Sequence, residues 1–240
     1  MINKAIKFAA NKHNGQNRKG KNVPYILHPL EVFNILYRMG ADEDLLVAGL
    51  LHDVLEDTDT KAEELQAEFG TDVMELVMAH TEDKSLPWQE RKKRGCEALA
   101  QAPKRVQMLV LADKLSNIRE MAQDYKAIGD KLWQRFNRGY DMQAWYYNYS
   151  VGFLNALVED ENTAWAYDEY CETVKSVFGK VKCPMCGKYT FEEVDDYDVC
   201  QVCGWENEDF QYRNPDFAGG ANDMSLNQAR EAYKRGEKVY

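Results

Sequence analysis

The sequence predicts an all-helical domain at residues 1–178, followed by a small α+β module at residues 179–240. Up to residue 178, apolar side chains recur every three or four positions, as in Glu31–Met39 and Glu43–Leu55, which is the spacing of amphipathic helices. No stretch of the first part alternates apolar and polar residues as a half-buried strand does. In the second part, four of the six cysteines lie within 21 residues, so the two parts also differ in chemistry.

Glycine and proline residues divide the helical part into its elements. Thr60–Ala79 has helical spacing on both sides of Gly70, which predicts two helices with a break between them. Lys104–Arg119 and Lys131–Val158 complete the helical set. The prolines of this part lie between the segments, where a missing amide hydrogen costs least. In the second part, Lys188–Val194 is short and β-like, and Ser225–Lys234 is typical of a closing helix.

Composition and charge limit the classes of function. The chain has 240 residues, of which 45% are hydrophobic and 29% charged, as in ordinary globular proteins. Its formal net charge of −10 argues against nucleic-acid binding, because no uniformly basic surface is available to neutralise phosphates. Apolar runs such as Leu45–Leu51 are far shorter than the ~20 residues that span a bilayer. The N-terminus lacks the features of a signal peptide, so we expect a cytoplasmic protein.

The most informative segment is Leu50–Thr58, where four ionisable side chains interrupt an apolar helix. These are His52, Asp53, Glu56 and Asp57. In one continuous helix all four would project from the same side, and three carboxylates on a buried face require a cation. An isolated His–Asp pair is more often a core histidine beside a solvated helix face, so the pair alone does not establish a metal site.

Two further residues favour the metal site. His28 lies between two prolines, and Asp113 is a carboxylate inside another apolar helical run. With His52 and Asp53 they supply two imidazoles and two carboxylates for one divalent ion. This mixture suits an ion of intermediate hardness; manganese is the first choice, with iron and zinc as alternatives. Four protein ligands leave positions on a six-coordinate ion for water and substrate, as hydrolysis requires.

These residues occur in blocks that resemble the HD-domain metal-dependent phosphohydrolases, and among them the RelA/SpoT-type alarmone hydrolases. The blocks are, in order, Arg18–Lys19, Pro24–Leu30, Leu51–Thr58, Phe69–Gly70 and Leu111–Arg119. Thr81–Pro87, with Glu90–Lys92 after it, resembles the small hydrolase-only members, such as the metazoan SpoT homologues. The resemblance covers about residues 1–155. It implies an all-α HD-domain helical bundle for this part. With the cysteine-rich second part, the predicted fold is an all-α HD-domain helical bundle with a small C-terminal zinc-ribbon-like α+β module.

The resemblance also implies a reaction and the residues that carry it out. The substrate is guanosine 3′,5′-bis(diphosphate) or its pentaphosphate relative, and the 3′-pyrophosphate is removed with the help of manganese. The implied metal ligands are His28, His52, Asp53 and Asp113. The implied catalytic pair, which orients or deprotonates the attacking water, is Glu56 and Asp57. The implied substrate contacts are Arg18, Lys19, Asn117 and Tyr146.

Residues 1–30 support the phosphate contacts independently, because they contain six lysine or arginine side chains and no acidic one. Arg18 and Lys19 precede His28 and are suited to phosphate, Arg18 through paired hydrogen bonds and Lys19 as a point charge. Most of the aromatic residues around Tyr146 are expected to pack in the core. His13 and His80 are assigned structural roles.

The cysteines follow the pattern CxxC-x13-CxxC, which is a strong signal for structural zinc. The four ligands are Cys183, Cys186, Cys200 and Cys203. Residues 182–234 resemble the bacterial cysteine-rich CPCC domain, with Met185 where the family usually has a cysteine. This module, residues 179–240, is expected to bind a protein partner or to mediate self-association.

Two alternatives remain open. The loop Gly20–Val23 differs from its counterpart in the relatives, which leaves room for a phosphatase of another nucleotide, such as one acting on the 2′-phosphate of NADPH. The other alternative is a non-catalytic nucleotide sensor that signals through the cysteine module. Glu56 and Asp57 speak against it, because binding alone does not require such a pair.

Overall fold

The computed structural model describes residues 1–81, 85–191 and 197–239 and is mostly helical, as predicted. Residue contacts divide the chain into two compact units, Met1–Val174 and Lys175–Tyr240. The block Thr81–Pro87 and the predicted strand Lys188–Val194 lie partly outside the described residues, at positions 82–84 and 192–194. In the part of the chain that is described, no helix is both long and apolar enough to cross a membrane.

The first unit is a bundle of helices. Its first six helices are α1 (Ile2–Lys12), α2 (Leu27–Arg38), α3 (Glu43–Leu51), α4 (Val54–Asp57), α5 (Ala62–Phe69) and α6 (Thr71–His80). The next four are α7 (Trp88–Leu99), α8 (Lys104–Ile128), α9 (Gly139–Val151) and α10 (Glu161–Phe178). The predicted break at Gly70 is confirmed, because α5 ends there and its backbone has a φ of +92° that suits glycine.

Helix α3 lies at the centre of this unit, in contact with α1, α2, α6 and α8. Its residues from Leu45 to Leu51 are all buried, which agrees with a helix that is apolar on every side. The Asp42 side chain caps its start by accepting a 2.9 Å hydrogen bond from the Leu45 amide. At Gly49 an added Cβ would lie 2.5 Å from Leu36 Cδ1, so the glycine allows α2 to pack closely.

The prediction of one continuous helix through Leu55 is wrong, because the helix breaks at His52 and Asp53. These two residues form a turn between α3 and α4. The His52 ring donates a 2.8 Å hydrogen bond from Nδ1 to the Gly49 carbonyl, the acceptor that the Asp53 amide would use in a continuous helix. Asp57, which the continuous helix would have placed on the buried face with the other three ionisable side chains, is exposed.

The predicted helix Lys131–Val158 is likewise interrupted. Gly129–Arg135 and Asn155–Glu159 are 3₁₀ segments on either side of α9. Helix α9 begins at Gly139, whose φ of +63° lies outside the helical region. The buried residues of α9 are Gln143, Tyr147 and Ser150.

The second unit has a two-stranded antiparallel sheet and two short helices. They are β1 (Val181–Lys182), β2 (Thr190–Phe191), α11 (Asp209–Arg213) and α12 (Leu226–Lys234). Ser225 caps α12 as expected, in a reciprocal arrangement with Gln228 that satisfies two amide groups at the helix start. The core of this unit contains Phe191, Trp205 and Leu226 together with the cysteines.

Candidate metal centre and active site

Three helical segments bring four of the predicted metal ligands together. His28 lies in the first turn of α2, His52 and Asp53 follow α3, and Asp113 lies within α8. The two His Nε2 atoms are 3.2 Å apart. Their distances to the carboxylates are 2.9 Å (His52–Asp53 Oδ2), 3.1 Å (His28–Asp113 Oδ1), 3.6 Å (His28–Asp53 Oδ2) and 3.6 Å (His52–Asp113 Oδ1). Residues from distant parts of the sequence therefore form a single cluster.

The outer nitrogens of both imidazoles are occupied by hydrogen bonds. His52 Nδ1 donates to the Gly49 carbonyl, and His28 Nδ1 lies 2.9 Å from Ser116 Oγ. Both Nε2 atoms consequently face the cluster interior, which is how outer hydrogen bonds orient metal-ligating histidines. Two inward lone pairs at 3.2 Å repel each other unless a proton or a cation lies between them. The donor set therefore fits a divalent ion.

The electrostatics of the cluster favour positive charge at its centre. Burial opposes protonation of His52, but the Asp53 and Asp113 carboxylates outweigh it and raise the pKa of His52 well above its usual range. Burial by itself disfavours ionised Asp53 and Asp113, yet contacts with the histidines lower the pKa of both carboxyl groups. Two ionised carboxylates at a buried position provide the charge that a divalent cation would neutralise.

A chain of hydrogen bonds holds Asp113 from the outside. Asn117 Nδ2 donates a 2.7 Å bond to Asp113 Oδ1, and Arg18 Nη2 donates a 2.8 Å bond to Asn117 Oδ1. Arg18 in turn pairs with Glu120 through Nε at 2.7 Å. The Asn117 amide thus contacts a candidate ligand directly, whereas the sequence analysis assigned it to the nucleotide.

Tyr25 is a site residue that the sequence analysis did not single out. Its hydroxyl donates a 2.5 Å hydrogen bond to Asp53 Oδ2 and lies 3.5 Å from Asp57 Oδ2. Burial and the neighbouring carboxylates raise the pKa of Tyr25, so the phenol stays protonated and acts as a donor. The sequence feature that could have indicated Tyr25 is its position three residues before His28, within the block Pro24–Leu30.

We expect Tyr25→Phe to weaken binding of a divalent ion about tenfold, because lost outer hydrogen bonds to ligands typically cost 10- to 100-fold in affinity. The Asp53 carboxylate would lose the donor that orients it. Isothermal titration calorimetry with Mn²⁺ measures the change in Kd. Tyr37→Phe on the exposed face of α2 is the matched control. An unchanged Kd for Tyr25→Phe would contradict the orienting role.

His80, assigned a structural role from the sequence, lies at the same cluster. Its Nε2 is 3.7 Å from Asp113 Oδ2, and its ring centroid is 5.1 Å from that of His52. Burial lowers the pKa of His80 to about 4, so its imidazole is neutral near pH 7. The residue ends an ordinary amphipathic helix, α6, and no spacing in the sequence connects it with the other ligands.

The cluster forms one wall of a cavity of about 230 Å³. Glu56, Asn117 and Tyr146 also line this cavity, whereas Asp57 is exposed and its carboxylate lies near Tyr25. A second cavity of about 620 Å³ shares five lining residues with the first: Lys92, Asp113, Lys114, Asn117 and Tyr146. Its basic lining residues are Lys19, Arg91, Lys92, Lys114 and Arg138. The cluster of candidate metal ligands therefore lies next to a cavity with basic and aromatic lining residues.

The two residues of the predicted phosphate pair have different surroundings. Arg18 is 14% exposed, and its guanidinium is engaged by Glu120 and Asn117. Lys19 lines the larger cavity, with its Nζ 5.6 Å from the centre of the Phe136 ring. Lys19 is therefore the member of the pair that is exposed to a ligand in the basic cavity.

The four cysteines of the second unit form a compact group of free thiols. The Sγ atoms of Cys183 and Cys203 are 3.6 Å apart, and those of Cys186 and Cys200 are 3.7 Å apart. Zn–S bonds of about 2.3 Å in a tetrahedron place sulfurs roughly 3.8 Å apart. Burial raises the pKa of Cys183 to about 11, so its thiolate would require a metal as partner. The geometry fits a structural zinc ion.

Comparison with known proteins identifies two families in the chain. The HD domain matches residues 5–137, and the cysteine-rich CPCC family matches residues 181–236. The chain is 44% identical over 124 residues to the guanosine-3′,5′-bis(diphosphate) 3′-pyrophosphohydrolase MESH1 of Xenopus tropicalis, a match that covers 50% of this chain and 69% of that protein.

Two solved structures support this assignment. One is a metazoan orthologue of SpoT that hydrolyses ppGpp, with 33% identity, a TM-score of 0.59, and coverage of 71% of this chain and 93% of the other. The second is lmo0812 from Listeria monocytogenes EGD-e, with 37% identity, a TM-score of 0.57, and coverage of 63% and 98%. The chain therefore belongs to the HD-domain family of metal-dependent phosphohydrolases, among the MESH1 and SpoT-type members, and carries a C-terminal cysteine-rich CPCC domain.

Proposed function

We propose that this protein hydrolyses guanosine 3′,5′-bis(diphosphate) and its pentaphosphate relative at the 3′ position, releasing pyrophosphate and GDP or GTP. The observation that carries the proposal is the cluster of two inward-facing imidazoles and two carboxylates beside a basic cavity. The similar MESH1 and SpoT-type proteins, which are named for this reaction, support the choice of substrate.

We assign the metal-holding role to His28, His52, Asp53 and Asp113. The ion is Mn²⁺, since a set of two nitrogens and two carboxylates suits a cation of intermediate hardness. A bound divalent ion supplies Lewis acidity toward the phosphoryl group and toward water. The chain's own contribution is to hold these four side chains in place through their hydrogen bonds with Tyr25, Ser116 and Asn117 and through the bond that His52 donates to the Gly49 carbonyl.

Glu56 and Asp57 are the acid–base pair of the proposal. Glu56 lines the smaller cavity beside the cluster, where it can accept a proton from the attacking water. Asp57 lies near the Tyr25 hydroxyl at the exposed edge, where it can help to orient Glu56 or the water. Proton transfer by a positioned carboxylate typically contributes 10²- to 10⁴-fold to the rate.

The basic cavity is the proposed binding site for the nucleotide. Lys19 supplies a point charge for a phosphate, and Arg18 acts by holding Asn117 through its 2.8 Å bond. Tyr146 lines both cavities, and Lys92 and Lys114 lie over its ring at 4.9 Å and 4.0 Å. An aromatic ring with cations close to it can contribute to binding both a base and its phosphates.

For the remaining part of the chain we propose a zinc-bound module at residues 179–240, following an HD domain at residues 1–178. The four Sγ atoms support zinc because they lie within 4.8 Å of one another and pair at 3.6 and 3.7 Å. The zinc is structural, since all four positions of a tetrahedral ion are taken by thiolates.

The function is tested by incubating the full chain and Mn²⁺ with a panel that contains guanosine 3′,5′-bis(diphosphate), the pentaphosphate, GDP and NADPH. We expect release of pyrophosphate from the first two only. Release of phosphate from NADPH without alarmone hydrolysis would replace the proposed substrate. Tight nucleotide binding without turnover would favour a sensor.

We expect Glu56→Gln to lower kcat for the alarmone by about 10²- to 10⁴-fold, because the amide cannot accept the proton from water. The metal stoichiometry should stay that of the wild type, since Glu56 is not among the proposed ligands. Steady-state kinetics and metal analysis on the same preparation separate the two effects. Glu63→Gln, on the exposed first turn of α5, is the matched control. Full activity of Glu56→Gln would show that the Glu56 carboxylate does not take part in proton transfer.

A further inference from the structure

We propose that His80 is a third imidazole ligand of the divalent ion, an inference that rests on the proposed metal centre. His80 approaches the cluster from the end of α6, a helix that supplies none of the four ligands assigned above. Its Nε2 lies 3.7 Å from Asp113 Oδ2, and its ring meets that of His52 edge to face at 5.1 Å. It lines the same cavity as His28 and Asp53.

His80 lines the cavity beside Asp113 without forming a hydrogen bond to that carboxylate. Its Nδ1 is buried, and no donor or acceptor of the described residues contacts it. The 3.7 Å separation of Nε2 from Asp113 exceeds the length of a hydrogen bond. A neutral imidazole has one lone pair, and a cation bound at Nε2 would use it on the side that faces Asp113.

The spacing of the donor atoms is compatible with one shared ion. Ligand atoms of His28, His52 and Asp53 lie within 4.8 Å of one another, and so do those of His52, His80 and Asp113. Opposite ligands of a six-coordinate ion with bonds of about 2.1 Å are roughly 4.2 Å apart. The two sets share His52, so the proposal places the ion beside His52, where ligand atoms of both sets lie.

A third imidazole has a consequence for the choice of metal. Nitrogen ligands favour iron, cobalt and zinc over manganese more strongly than carboxylates do. We therefore expect the wild type to prefer Co²⁺ over Mn²⁺ by a larger factor than a variant that lacks the His80 imidazole.

The test uses the full chain with Mn²⁺, comparing the wild type with His80→Phe. Pulsed electron paramagnetic resonance of bound Mn²⁺ counts the coupled imidazole nitrogens, and we expect three in the wild type and two in the variant. Titration calorimetry should show Kd for Mn²⁺ raised by at least about tenfold, the scale seen even for lost outer contacts. His80→Gln, which offers a carbonyl oxygen at similar reach, should recover part of the affinity.

His13→Phe is the matched control, because His13 is also a buried imidazole with one unpartnered nitrogen, but it belongs to no metal-binding group of the described residues. It should keep three coupled nitrogens and the wild-type Kd. Two coupled nitrogens and equal Kd values in both the wild type and His80→Phe would overturn the role of His80 while leaving the metal centre intact. A wild type that binds no Mn²⁺ would instead overturn the centre itself, and this inference with it.

Discussion

Replacing Asp113 with alanine is expected to abolish stoichiometric Mn²⁺ binding and to lower kcat/KM for the alarmone by about 10³-fold or more. The Asp113 carboxylate lies close to more residues of the cluster than one ligand bond would require. Its Oδ1 lies 3.1 Å from His28 Nε2 and accepts the 2.7 Å bond from Asn117, and its Oδ2 faces His80. The substitution removes one proposed metal ligand. It also removes the carboxylate that lies near the imidazoles of His28, His52 and His80.

The measurement is metal content after dialysis, combined with steady-state kinetics at saturating Mn²⁺. Asp124→Ala is the matched control on the same helix, because Asp124 pairs with Lys21 and Arg135 and lies outside the cluster. We expect it to retain the wild-type metal content. An Asp113→Ala protein with one tightly bound Mn²⁺ and normal turnover would refute the assigned ligand set.

Replacing Cys200 with serine is expected to release zinc and to unfold the second unit. Structural zinc in small modules contributes on the order of 10–16 kcal/mol, which exceeds what so small a core provides by itself. The cysteines belong to that core, packed with Phe191, Trp205 and Leu226. Without the ion nothing joins the two cysteine pairs. The apolar residues that pack on the cysteines are then expected to become exposed to solvent.

Zinc analysis and hydrogen exchange across residues 197–207 measure this effect. In the wild type the Cys200 amide donates a 2.8 Å bond to the Trp205 carbonyl, so slow exchange is expected there. In Cys200→Ser these amides should exchange at the rate of an unfolded peptide. Cys171→Ser in α10 is the control, since Cys171 lies outside the four-sulfur group. A zinc-free variant with slow exchange would contradict the structural role.

Much of the fold was predictable because local patterns agreed with the packing. The break at Gly70 and the cap at Ser225 follow from backbone preferences that act over a few residues. The break after Leu51 was not predictable from periodicity, because the apolar spacing continues through it. It depends on the side chain of His52, which bonds to a backbone carbonyl of α3 and so competes with the helix.

Some residues of the candidate site could likewise be predicted from the sequence, and others could not. His28, His52, Asp53 and Asp113 could be proposed because ionisable residues in apolar runs require compensation. Tyr25 and His80 are a phenol and an imidazole in ordinary local surroundings, and only their positions beside Asp53 and Asp113 connect them with the site. The role of Arg18 changed for a similar reason, because Glu120, 102 positions later in the chain, lies within hydrogen-bonding distance of it.

The sequence by itself determined the helical class, the cysteine module, and the types of ligand available to each metal, because these depend on composition, spacing and local chemistry. Only the tertiary structure decided which side chains share one cavity and which are held by neighbours. Those relations depend on how helices distant in sequence pack, and a spacing along the chain carries no information about the distance between them.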